Sequence, residues 1–207
     1  VSETYADAPG ALWPQERALM AEAVPARVAE FATTRRCARE ALATLGVPAG
    51  PILRGPGGAP QWPPGVVGSL THCTGYRAAA VAPTSRLSAL GIDAEPRAPL
   101  PPGVGPLVAT AAELRRLEAL ARRDPGVPWD RLLFCAKESV FKAWFPLTGR
   151  WLDFADVVVS LGATGFSARL ADAAGETDLV AGLTGRWLLS TDLVLSSAYG
   201  GPAGGAE

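Results

Sequence analysis

The sequence predicts an α+β fold of two similar subdomains, each a long helix packed on a small antiparallel sheet, the two related by a pseudo-twofold. Three observations predict it. A segment with helical apolar spacing is followed by three strand-like runs, the same order of elements then occurs again, and a proline-rich stretch separates the two sets. That stretch places the division between a subdomain of residues 1–97 and one of residues 98–207.

In chain order, "ARVAEFATTRRCAREALATLG" carries Val28, Phe31, Ala38, Leu42 and Leu45 at helical spacing, and Gly46 and Pro48 stop it. Residues 47–65 form a Pro/Gly-rich excursion. "GVVGSLTH", "YRAAAVA" and "LSALGIDA" then read as strands. Pro99, Pro101, Pro102 and Pro106 form the linker. Beyond it, "TAAELRRLEALARR" opens with a capping box, Thr110 at N-cap and Glu113 at N3, and buries a stripe of Leu114, Leu117, Leu120 and Ala121. A second helix spans Asp130 to Phe145 and is expected to end at Pro146. "FADVVVSLG", "GFSARLAD" and "RWLLSTDLVLSSAYG" return to strand.

Composition narrows the function. The 207 residues are 48% hydrophobic and 19% charged, with formal net charge −1. That balance fits a globular chain and argues against a general nucleic-acid binder. No apolar run reaches the ~20 residues of a membrane helix, and "VSETYADAPG" lacks the basic and apolar regions of a secretory signal. Cys37, Cys73 and Cys135 are odd in number and widely spaced, which fits a reducing cytoplasm better than a disulfide or zinc framework.

Two short stretches carry the chemistry. In "GIDAEP", Asp93 and Glu95 leave an extended chain on the same face. A solvated strand end turning at Pro96 is the bland reading. In "AKESVFK", Lys137 and Lys142 flank Glu138 and are the only lysines among 19 basic residues. A surface pair of Glu138 with Lys142 would explain the spacing but not the choice of Lys over Arg, whereas a compact ammonium suits a phosphate oxygen in a tight site. The single histidine, His72, sits among Ser69, Thr71 and Gly75, where an anion could approach. Arg27, Arg35, Arg36 and Arg39 lie on the first helix and Arg54 in the excursion. Together Asp93, Glu95 and Glu138 could converge on a hard cation such as Mg²⁺ beside a basic, pyrophosphate-binding surface, the arrangement of phosphoryl-type transfer.

The ordered set "SLTHC", "GIDAEP" and "FCAKESVFKAWF" resembles the 4′-phosphopantetheinyl transferases, of the larger, surfactin- and enterobactin-synthetase-associated type, whose single chain contains both halves. The resemblance covers most of the chain. It implies transfer of the phosphopantetheine arm of coenzyme A to a serine of an apo acyl or peptidyl carrier protein, with release of adenosine 3′,5′-bisphosphate. It also implies a cytoplasmic monomer, without nucleic acid or membrane, serving carriers of fatty-acid, polyketide or nonribosomal-peptide synthesis; secondary metabolism fits the type best.

Carried over by position, the resemblance makes Asp93, Glu95 and Glu138 the ligands of Mg²⁺ or Mn²⁺, with Glu138 also the base for the carrier serine. Lys142 and Thr71 would meet the pyrophosphate, His72 the 3′-phosphate, and Arg27, Arg35 and Arg54 other parts of coenzyme A. The first subdomain would thus supply the coenzyme A phosphate contacts and the first two metal carboxylates, the second the catalytic helix. Phe141, Trp144, Phe145 and Trp151 are candidates for the carrier surface. The rival readings are a Mg²⁺-dependent phosphatase or pyrophosphatase and a non-catalytic coenzyme A-binding module.

Overall fold

The computed structural model describes residues 1–172 and 179–201. Its elements are β1 (Ser2–Thr4), α1 (Pro14–Ala18), α2 (Pro25–Ala43), β2 (Val66–Cys73), β3 (Tyr76–Pro83) and β4 (Ala89–Pro96). After the linker come α3 (Gly105–Val108), α4 (Ala111–Arg123), α5 (Trp129–Thr148), β5 (Val157–Leu161), β6 (Gly165–Leu170), β7 (Thr184–Leu189) and β8 (Leu193–Gly200). The protein is α+β, with two antiparallel sheets.

A helix lies on each sheet. Pro25 starts α2 where a missing N–H is no loss. The helix buries Cys37, Ala38, Ala41 and Leu42 with Ile52 and Ala79 of the three-stranded sheet, ordered β1-β3-β2. The larger core lies under α5, where Leu132, Leu133, Ala136 and Val140 pack with Val157, Val159, Val194 and Ala198 of the five-stranded sheet, ordered β4-β8-β7-β6-β5.

Three local departures from the sequence reading have physical causes. Helix α5 continues past Pro146 to Thr148 and ends on Gly149, whose φ of 64° is left-handed. A proline in the last turn forgoes just its own bond to the Lys142 carbonyl, and the buried Trp144 and Phe145 hold that turn in place. The run "RWLLSTDLVLSSAYG" is two strands, because the Ser190 N–H turns back to the Leu193 carbonyl at 2.9 Å. Strand β4, which follows β3 in sequence, pairs along its whole length with β8, setting Asp93 opposite Ser196 and Glu95 opposite Val194.

Strand β4 also touches β2, through side chains. Ser69 Oγ accepts from the Ile92 N–H and Thr71 Oγ1 from the Ala94 N–H, each at 3.0 Å. On its other side, β4 presses against α5 at Gly91: a Cβ there would lie 1.9 Å from the Ser139 carbonyl oxygen and 2.6 Å from the Ala143 nitrogen. This glycine is what allows the strand to touch the helix backbone. The two chemical motifs are brought together by that contact.

Candidate active site

Positions 131, 138, 142 and 145 recur at spacings of seven, four and three, so Arg131, Glu138, Lys142 and Phe145 share one stripe of α5. Gly91, Asp93 and Glu95 alternate onto one face of β4. Where the two meet, Lys142 Nζ donates to Asp93 Oδ1 at 2.6 Å, and Arg131 Nη1 donates to Glu95 Oε2 at 2.8 Å. Asp93 Oδ1 also accepts from Thr71 Oγ1 at 3.1 Å. Its second oxygen, Oδ2, is buried and has no hydrogen-bond partner among the described residues.

Such an atom is expensive to leave unsatisfied. Glu95 and Glu138 feel the same concentration of charge. Burial pushes both carboxyls above the ordinary range, and the Asp93 charge adds to the shift. Among the described residues, no group of three or more His, Cys, Asp or Glu side chains stands close enough to hold a metal ion, so Asp93, Glu95 and Glu138 do not form a preassembled metal site.

Beside this cluster lies a cavity of about 250 Å³ between the two helices, lined among others by Arg27, Arg35, Arg54, His72, Glu138 and Lys142. Six of the residues singled out in the sequence therefore share one space. Arg35 is buried: its Nε donates to the Ile52 carbonyl at 2.8 Å and its guanidinium lies 4.1 Å from the Phe31 ring centre. Burial lowers its pKa to about 10. Arg54 approaches the same ring at 5.5 Å. The backbone at Gly57 runs onto Phe145, where a Cβ would stand 2.2 Å from the ring, so the excursion closes over the end of α5.

Three predicted residues stand behind that wall. Asp93 reaches the cavity through Lys142, Glu95 is held by Arg131, and the Thr71 hydroxyl is spent on β4. His72 meets Arg27, whose Nη1 lies 2.8 Å from its Nε2.

The two lysines divide sharply. Lys142 faces the site. Lys137 is buried, and Nζ donates to the Val108 carbonyl at 2.9 Å, the Phe154 carbonyl at 2.7 Å and Glu113 Oε2 at 2.9 Å. Its restriction to this stretch is structural. Of the aromatic candidates, Trp144 is buried with its indole N–H on the Arg150 carbonyl, whereas Phe141, Phe145 and the exposed Trp151 form one cluster.

Sequence reasoning missed Glu30, Arg131 and the Phe31 platform. Arg131 was recoverable from its heptad spacing to Glu138, and Glu30 from its position one turn after Arg27. Phe31 carries no comparable signal, since an aromatic at helical spacing reads as core.

Comparison with known proteins shows the family of the chain. The family model for the 4′-phosphopantetheinyl transferase N-terminal domain matches residues 15–82, and that of the 4′-phosphopantetheinyl transferase superfamily matches residues 89–190. The chain belongs to the 4′-phosphopantetheinyl transferase family. It is 52% identical to the 4′-phosphopantetheinyl transferase Svp of Streptomyces mobaraensis, over 98% of this chain and 86% of that protein. Identity to the transferase PptT of Mycobacterium tuberculosis is 44%, over 95% of this chain and 89% of the relative. For the transferase Npt of Nocardia iowensis it is 45%, over 89% and 87%. The protein is thus an enzyme that transfers the phosphopantetheine arm of coenzyme A to carrier proteins. Among the described residues, no helix is long and apolar enough to cross a membrane.

Proposed function

We propose that this phosphopantetheinyl transferase works on a serine of an apo acyl or peptidyl carrier protein, releases adenosine 3′,5′-bisphosphate and depends on Mg²⁺ held by Asp93, Glu95 and Glu138. The carrying observation is the buried, unpartnered Asp93 Oδ2 beside Lys142, at the edge of an arginine-lined cavity.

The donor set suits the metal. All three proposed ligands are carboxylates, and Mg²⁺ uses few protein ligands, completing its shell with water and substrate phosphate oxygens. When bound, Mg²⁺ neutralises charge on the pyrophosphate. Mn²⁺ accepts the same oxygen ligands.

The chain's own groups do the rest. Arg27 and His72 grip the 3′-phosphate, while Arg35 and Arg54, steadied on Phe31, add positive charge along the cavity. Lys142 moves from Asp93 Oδ1 towards the pyrophosphate as the substrate enters. Glu138 accepts the serine proton, directly or through a water. The serine Oγ–P bond forms as the P–O bond to the nucleotide breaks, and the bisphosphate departs with the bonding pair. Positioning and preorganised charge supply the rate. Thr71 acts by holding Asp93 and β4 in register.

We read the division at residues 97/98 as functional: the first part supplies the nucleotide phosphate contacts and two carboxylates, the second supplies Glu138 and Lys142. A cytoplasmic monomer completes the reading, and the free thiols of Cys37, Cys73 and Cys135 fit the reducing compartment. Mass spectrometry of an apo carrier protein incubated with coenzyme A and Mg²⁺ tests the proposal. Addition of the phosphopantetheine arm is expected. Hydrolysis of coenzyme A without loading would favour a phosphatase or pyrophosphatase, and binding without turnover a coenzyme A-binding module.

A further inference from the structure

Behind the Arg27–His72 pair stands a carboxylate that the reaction does not call for. Glu30, one turn after Arg27 on α2, ion-pairs through Oε2 with Arg27 Nη1, and the same oxygen lies 3.4 Å from His72 Nε2. Arg27 Nη1 and His72 Nε2 are themselves 2.8 Å apart. Three polar atoms therefore touch one another, and two of them are those that would meet the adenosine phosphate. The other oxygen of Glu30 lies 3.5 Å from Arg77 Nη2, and Arg77 is paired again with Asp7 at 3.1 Å.

We propose that Glu30 is a built-in competitor for the 3′-phosphate, holding Arg27, and through it His72, when the nucleotide is absent and limiting how tightly any 3′-phosphorylated nucleotide is bound. This rests on the phosphate reading of the Arg27–His72 pair. A guanidinium N–H given to a carboxylate must be recovered before it can serve a phosphate, and the carboxylate then remains as a like charge beside a dianion. The arrangement has a use. The leaving adenosine 3′,5′-bisphosphate keeps the same 3′-phosphate as coenzyme A, so any contact that tightens the substrate tightens the product too. Tempering that contact lets the product leave.

The charge is removable without orphaning its neighbours. Arg77 retains Asp7, Arg27 is half-exposed, and a glutamine at position 30 can still accept through its amide oxygen.

Calorimetric titration of the full chain with coenzyme A, dephospho-coenzyme A and adenosine 3′,5′-bisphosphate tests the idea. Glu30→Gln should bind coenzyme A and the bisphosphate roughly three- to tenfold tighter, the scale of one partly screened like-charge contact. Dephospho-coenzyme A should bind unchanged. Glu30→Asp, which keeps the charge, should return affinity towards the wild-type value, and Glu30→Ala should behave as Gln does if the Gln variant folds poorly. In carrier loading, Glu30→Gln should show a lower KM for coenzyme A and stronger inhibition by the bisphosphate.

Unchanged or weaker coenzyme A binding by both Glu30→Gln and Glu30→Ala, with wild type still preferring coenzyme A to its dephospho form, overturns the Glu30 inference alone. Equal weakening of all three ligands also overturns it and makes Glu30 a support of α2. If wild type itself does not distinguish coenzyme A from dephospho-coenzyme A, the phosphate reading falls first.

Discussion

Lys142 Nζ sits 2.6 Å from one oxygen of Asp93, and the other oxygen of that carboxylate is buried with no hydrogen-bond partner among the described residues. An ammonium on one side and an unsatisfied acceptor on the other leave the carboxylate half served. A divalent cation would complete it, and Lys142 would then be released towards the substrate's phosphates.

Asp93→Ala and Glu95→Ala are each expected to abolish carrier loading while leaving the fold intact. Either change removes a proposed metal ligand and relieves repulsion among Asp93, Glu95 and Glu138, so the apo protein should lose little stability. Carrier mass spectrometry gives the activity and thermal denaturation the fold. Near-wild-type loading by either variant would remove these carboxylates from the metal site.

Lys142→Arg should lower kcat/KM by on the order of tenfold or more, about 1.4 kcal/mol of transition-state stabilisation. The planar guanidinium is bulkier than an ammonium and aims its donors differently, and Asp93 Oδ1 has already accepted Thr71 on its other side. Steady-state kinetics with a fixed apo carrier decides it. An unchanged kcat/KM would mean that position 142 needs just a positive charge.

The sequence disclosed the three long helices, most strands and six of the cavity residues, because those rest on local periodicity and on residue types rare in the chain, whereas the short α1 and α3, the latter within the proline-rich linker, carry no periodicity to read. It did not disclose that β4 pairs with β8, since strand partners are chosen by long-range packing that no local pattern records. Nor did the residue pattern by itself separate Lys137 from Lys142, although the resemblance gave a role to Lys142 alone. Both stand in one helical stretch, and their difference lies in which residues α5 meets: Glu113 and two carbonyls for one, Asp93 and the cavity for the other. Gly91 was legible as part of "GIDAEP" but not as a contact, because its role appears once the helix backbone lies against it.

Lys137→Met should destabilise the fold by about 3–5 kcal/mol, the scale of breaking a buried ion pair from one side. Glu113 would keep the Thr110 and Val159 N–H groups at 2.8 Å each but lose its cation, and the Val108 and Phe154 carbonyls would lose a donor. Urea unfolding at constant m-value measures it. Loss of loading with undiminished stability would move Lys137 into the chemistry.

Gly91→Ala should act through geometry. Its methyl would collide with backbone atoms of Ser139 and Ala143, which cannot rotate away as a side chain could. Strand β4 must then withdraw from α5, carrying Asp93 from Lys142. A loss of about 3 kcal/mol, at the upper end of overpacking effects, is expected together with a fall in kcat. A stable variant with normal turnover would show that the strand–helix contact does not position the carboxylates.

Coenzyme A binding should draw a proton onto His72. Burial first, and then the charges of Arg27, Lys142 and Arg77, hold His72 below its ordinary value of 6.5, against the opposite pull of Glu30. The guanidinium N–H of Arg27 facing Nε2 fits a neutral ring that accepts there. A 3′-phosphate reverses this environment: it engages Arg27 and favours the imidazolium, so the bound pKa rises above the free one. The binding advantage of coenzyme A over dephospho-coenzyme A should therefore be full below the free pKa and decline as pH rises through the bound pKa. Between those two values coenzyme A binding should take up a proton, visible by calorimetry in buffers of different ionisation enthalpy. The phosphate titrates near ~6 itself, so His72→Ala must be run in parallel. That variant should lose about 1.5–3 kcal/mol of coenzyme A affinity, a charge-assisted contact, and little for the dephospho form. Equal proton uptake by wild type and His72→Ala, or equal weakening of both ligands, would make His72 a structural partner of Arg27 and Glu30.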